Sequence, residues 1–115
     1  MTTNNIMKLQ TKKGVMADVR VLSQKVCIKD YFDAEKGVKT KKHALVSKVL
    51  FRDGTLETPL TLMLMVEKDS KQEKPLFYQP YNDEDSSLHT LVHSVSNEQA
   101  RHLAKQLASA CNFIR

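Results

Sequence analysis

There is no tryptophan in this 115-residue chain, and glycine and proline occur three times each. Glycines at positions 14, 37 and 54 are too scattered to build a phosphate-cradling loop. Two cysteines, Cys27 and Cys111, cannot staple a disulfide scaffold and fall short of a zinc ribbon. No apolar run reaches the ~20 residues that a membrane-spanning helix needs. The opening residues 1–8 (MTTNNIMK) lack the apolar core of a signal peptide, so a cytoplasmic (intracellular) location is expected. Nucleophilic catalysis finds no Gly-x-Ser-x-Gly elbow and no Cys-x-x-Cys pair, and no carboxylate pair can be placed for acid–base work.

What is present is a globular mixture, 41% hydrophobic and 27% charged, with a formal net charge of +5. The charge is uneven. Residues 1–54 carry 12 Lys/Arg against 5 Asp/Glu, whereas residues 55–115 carry 6 against 8. A basic first half suits an acidic partner, although solubility alone also accounts for such a charge.

Residues 1–13 show no clear periodicity and read as a loose N-terminus, with one globular domain over 14–115. Val15, Ala17, Val19 and Val21 alternate as one face of a strand. After Ser23-Gln24 a second strand runs over 25–32, with Val26 and Ile28 inward and Lys25, Cys27 and Lys29 outward. Residues 33–37 read as a hairpin loop in which Gly37 takes the left-handed conformation. A long strand follows from Val38 to Arg52, basic at first and then apolar on both faces. Asp53-Gly54 marks a tight turn. The returning strand holds Leu60, Leu62, Leu64 and Val66 on one face and Met63 and Met65 on the other, and Pro59 restricts it to a start or an edge. A short edge strand over 75–81 and a further strand over 88–95 complete a sheet of about six strands. Ser96 with Gln99 fits a capping box. Beyond it Ala100, Leu103, Ala104, Leu107, Ala110, Cys111 and Ile114 recur at helical spacing, which predicts one amphipathic C-terminal helix. The expected fold is therefore α+β: an antiparallel β-sheet or partly closed barrel packed by that helix.

Several residues invite chemical readings. On a strand, His89 and His93 would lie ~13 Å apart, too far to share an ion, so no metal site is expected. Residues 83–86 begin like a calcium loop, but Leu88 stands where the loop needs glycine and no glutamate closes it. Cys27 between two lysines could hold a stabilised thiolate, and a small filler role is the simpler reading. The strongest signal is the basic run Lys36, Lys39, Lys41, Lys42 and His43. Placed at a hairpin, it makes a projecting cationic finger for phosphate or an acidic partner, or else a solvated edge kept soluble by its lysines. Met63 and Met65 form an adaptable apolar patch if the helix covers the opposite face.

The order of antiparallel strands followed by a terminal helix, ending in residues 93–107 (HSVSNEQARHLAKQL), resembles the pleckstrin-homology-like superfold. That resemblance implies a binding or adaptor role, although the tryptophan common in that helix is missing here. The resulting expectation is a small non-enzymatic interaction module for a protein partner, without a cofactor. The alternative is a basic domain that binds anionic phospholipid or nucleic acid, and an enzyme of unknown class comes third.

Overall fold

The computed structural model describes residues 6–65, 77–78 and 87–110. In chain order they form β1 (Ile6–Gln10), β2 (Met16–Asp33), β3 (Val38–Asp53), β4 (Leu56–Met65), α1 (Ser87–Ser94) and α2 (Asn97–Ala110). The strands make one antiparallel meander in the order β1-β2-β3-β4, with both helices packed on one face. The fold is α+β with an antiparallel sheet, as expected, but among the described residues the sheet is open and has four strands and two helices, rather than about six strands, a partly closed barrel or a single helix.

Alternation places Leu9, Val19, Val49 and Leu62 toward the helices, where they bury against Leu91, Val95, Leu103 and Leu107. β1 arises within the stretch read as loose. Met7 and Leu9 are buried while Lys8 and Gln10 face water, and Gln10 accepts support from α2 through its amide, which donates to Gln99 Oε1 at 3.1 Å. The adjacent apolar residues Ile6 and Met7 break the alternation at its start, which hides the strand in sequence.

β2 and β3 form one long hairpin. Its register runs from Asp18↔Arg52 to Asp33↔Val38 and slips once, where Leu22 lies unpaired between Val21↔Val49 and Ser23↔Lys48. This bulge explains why the sequence reads as two strands. Ala17, Val19 and Val21 face the helices before it, Gln24 and Val26 after it, so the odd–even phase inverts without a break in the strand. Gln24 anchors the junction, its side-chain amide donating to Ser47 Oγ (3.1 Å) and to the Leu107 carbonyl of α2 (3.0 Å).

The β3–β4 turn is Gly54-Thr55, closed by the Asp53↔Leu56 pair, one residue later than the sequence suggests. Only Gly54 has positive φ (68°), the requirement at the first central position of a type II′ turn. Pro59 sits in β4, an edge strand, as its missing amide hydrogen requires. The outer side of β4 is capped twice: the Thr61 amide donates to Ser87 Oγ at 2.9 Å, and the Tyr78 amide donates to the Met63 carbonyl at 3.0 Å.

The expected strand over 88–95 is instead helix α1, followed by a single bridge between Val95 and Thr11. Leu88, Leu91, Val92 and Val95 satisfy helical spacing as well as Thr90, Val92 and Val95 satisfy strand propensity. Docking of Ser87 on β4 and burial of Leu91 decide for the helix. Of the expected edge strand over 75–81, the described part is one bridge between Phe77 and Leu64. The acidic loop over 82–86, Cys111 and Ile114 lie outside the described residues. α2 starts as expected, with the Gln99 amide donating to Ser96 Oγ at 3.3 Å. Among the described residues, no helix is long and apolar enough to cross a membrane.

Candidate functional site

The described part of β4 ends at Met65, opposite Ala44, and that of β1 begins at Ile6, opposite Arg20. Among the described residues, β2 and β3 from Ile28↔His43 to Asp33↔Val38 therefore pair only with each other. This two-stranded ribbon extends about 17 Å at ~3.4 Å per residue. Its tip is closed by Asp33, whose carboxylate accepts from the Glu35 (3.0 Å) and Lys36 (3.3 Å) amides, and whose carbonyl accepts from the Gly37 amide at 2.7 Å. Gly37, with φ 66°, is the left-handed residue that the closure needs.

Register sorts the expected finger residues onto different surfaces. Lys39, Lys41 and His43 continue the helix-side face with Ile28, Asp30 and Phe32. Lys42 lies on the opposite face, and Lys36 occupies the tip. Lys41 Nζ pairs with Asp30 Oδ1 at 2.7 Å, an exposed ion pair of small energetic weight. Lys42 Nζ stands 5.4 Å from the centre of the Tyr31 ring. The basic run is thus a ribbon with two cationic faces, not one patch.

Two features of the ribbon escape the sequence reading. Lys29 faces Lys42 directly across the strands, and like charges in that position destabilise a sheet. Counting back from the Asp33↔Val38 closure would have found the pair. The ribbon also presents large apolar side chains to water: Ile28 is 59% exposed, Phe32 44% and Val38 45%.

The helices cover the Leu60, Leu62 and Leu64 face of β4, so Met63 lies on the second face. Met63 is only 7% exposed there, packed with Ala44, Val46, Cys27 and Tyr78, and Met65 is half-buried. Cys27 belongs to this partly buried cluster. Tyr78 meets Tyr31 edge-on, with ring centroids 5.8 Å apart, and its hydroxyl is buried without a hydrogen-bond partner among the described residues. Burial, with smaller contributions from the Cys27 and Tyr31 charges, pushes the Tyr78 phenol up to about 12.

Elsewhere on the second face, Asp18 joins Lys8 (3.0 Å) to Arg52 (3.8 Å), and Arg52 reaches Glu57 (3.8 Å). Between the helices, Phe77, Leu88, Val92, Asn97, Ala100 and Arg101 line a hollow of about 210 Å³. That is below the roughly 300–1,000 Å³ of most small-molecule sites. His89 and His93 come together on α1, a juxtaposition that the strand reading excluded. Among the described residues, no group of three or more His, Cys, Asp or Glu is arranged to hold a metal ion.

Compared with family models, curated proteins and solved structures, the chain matches none. The pleckstrin-homology-like resemblance therefore reduces to its coarse part, an antiparallel sheet followed by C-terminal helices.

Proposed function

We propose that this chain is a non-enzymatic binding module that grips a macromolecular partner, a protein, with its β2–β3 ribbon. The observation that carries the reading is the exposure of Ile28, Phe32 and Val38 among lysines on a ribbon that, among the described residues, has no third strand. A lone two-stranded hairpin is marginal in water, and a partner strand or surface would complete it. Burying each of these apolar side chains contributes up to about 1.5–3 kcal/mol, a core of affinity inside a charged rim. The lysines would speed encounter with an acidic partner more than they hold it.

A second reading has its own observation. The Lys29–Lys42 opposition, relieved by a bound phosphate, favours an anionic polymer or lipid surface. The two readings separate in one experiment. The wild-type chain, an Ile28→Thr/Phe32→Thr variant and a Lys39→Glu/Lys41→Glu/Lys42→Glu variant are immobilised, and partners are recovered from the native cell in low salt and in about 1 M salt, where the Debye length is about 3 Å. The protein-partner reading expects a stoichiometric protein that survives high salt and disappears with the threonine variant. Loss in the glutamate variant alone, with binding that collapses in salt, selects the anionic ligand. Equal recovery by all three removes the ribbon from consideration.

A further inference from the structure

α1 carries two imidazoles one helical turn apart. His89 and His93 are both exposed, while Leu91 between them and Val95 beyond turn into the core. Their Nε2 atoms stand 3.1 Å apart, with ring centroids at 4.3 Å and planes inclined by 61°. A head-on N–H···N hydrogen bond would hold the centroids about 5.4 Å apart, because each ring would then lie on the line joining the two nitrogens. The observed rings are closer. At least one ring therefore lies off the N···N line.

We propose that His89 and His93 form a two-imidazole chelate for one divalent transition ion of the copper, nickel or zinc class. An ion about 2.05 Å from each of two nitrogens at this separation sees them at about 98°, between the square and the tetrahedral angle. Water completes the coordination, since two imidazoles supply only part of it. Imidazole ligands set the chemical class, and the ordinary affinity order places Cu2+ above Ni2+ and Zn2+. The site has a structural consequence. α1 has only eight residues, well short of the ~12–15 at which a helix stands alone, so an ion bridging i and i+4 clamps it in its helical form. This site is independent of the ribbon and of any reading of its partner.

The test uses the full chain, stripped with a chelator, and Zn2+ alone as the probe. The four histidines (43, 89, 93 and 102) are followed by their ring-proton resonances during titration, with calorimetry alongside. The expected result is saturation at one equivalent, with the His89 and His93 signals moving together and those of His43 and His102 unmoved. His89→Asn and His93→Asn should each weaken binding at least tenfold while leaving the far-ultraviolet circular dichroism of the zinc-free chain unchanged. Zinc should raise the melting temperature of the wild type and of neither variant. Shifts spread evenly over four histidines, no saturation below millimolar zinc, or unchanged affinity in the single variants would overturn the site.

Discussion

Deleting a residue from the middle of a strand ordinarily turns everything beyond it to the wrong face. Leu22 should be an exception. It is the unpaired residue of the β2 bulge, 53% exposed, and the residues on either side already face the right way for a strand without it. Removing it leaves Val21 inward, Ser23 outward and Gln24 inward, which is plain alternation. The deletion should therefore change stability by no more than about 1 kcal/mol, the range of an exposed substitution. Deleting Lys48, its neighbour across the ladder in the unbulged β3, is the contrasting perturbation. It would turn Leu45 and Ser47, or Val49 and Phe51, away from the helices. Each lost buried aliphatic or aromatic side chain costs about 2–5 kcal/mol. Loss of Val49 and Phe51 together would exhaust most of the roughly 5–15 kcal/mol that holds a domain together. Urea denaturation followed by circular dichroism reads both variants. The Leu22 deletion should keep a cooperative transition with an unchanged slope, and the Lys48 deletion should show no folded baseline. Equal damage from the two would refute the phase argument. If the bulge also sets the twist at which the ribbon leaves the sheet, the Leu22 deletion should stay folded and bind its partner less tightly.

Three other outcomes follow from single side chains. Tyr78→Phe removes a buried hydroxyl with no hydrogen-bond partner among the described residues, so it should be neutral or stabilise by about 1 kcal/mol, and a loss of that size in urea would mean the hydroxyl is satisfied. The wild-type phenol holds its proton to about 12 when folded and to ~10 when unfolded, so its contribution is intact below pH ~10 and lost as pH rises through the folded value. Tyr78→Phe should lack that part of the alkaline decline. Gln24→Ala strips partners from the buried Ser47 hydroxyl and the Leu107 carbonyl and should cost about 2 kcal/mol; adding Ser47→Ala should recover part of it, and full additivity would argue against the link. Gly37→Ala places a β-carbon in open space but at φ 66°, so a loss of about 1 kcal/mol in thermal melts is expected from backbone strain alone.

The parts of this fold that were legible in sequence are those in which local and tertiary forces agree. α2 announces itself because its cap at Ser96 and its stripe of Leu103, Ala104 and Leu107 both say helix, and the sheet accepts that stripe. The β2–β3 hairpin is legible for the same reason, since Gly37 permits the turn that the flanking alternation needs. α1 is where the two levels disagree. Its β-branched residues favour a strand, but the helix buries Leu91 against the sheet and α2 and starts at Ser87, whose hydroxyl accepts from the Thr61 amide of β4. The bulge at Leu22 was hidden by a different cause. An inverted phase and a chain break look alike in a hydropathy pattern, and only the pairing of Ser23 with Lys48 tells them apart.

The candidate sites divide along the same line. The basic run was visible as composition, yet composition carries no face, and the register of β3 sends Lys41 and Lys42 to opposite sides. A cationic finger read as one surface would meet a phosphate backbone with all its lysines together. A ribbon cationic on both faces, with Ile28 and Phe32 beside Lys39 and His43 on one side and Lys29 against Lys42 on the other, offers two unlike surfaces. The first suits an apolar anchor within a charged rim, the second a small anion held between two ammonium groups. Lys29→Asp should distinguish them without disturbing the first face. By turning a like-charge pair into an opposite-charge one, it should stabilise the ribbon by about 0.2–1 kcal/mol and leave protein binding intact. Should that substitution instead abolish binding while the protein becomes more stable, the functional face is the one that carries the lysine pair.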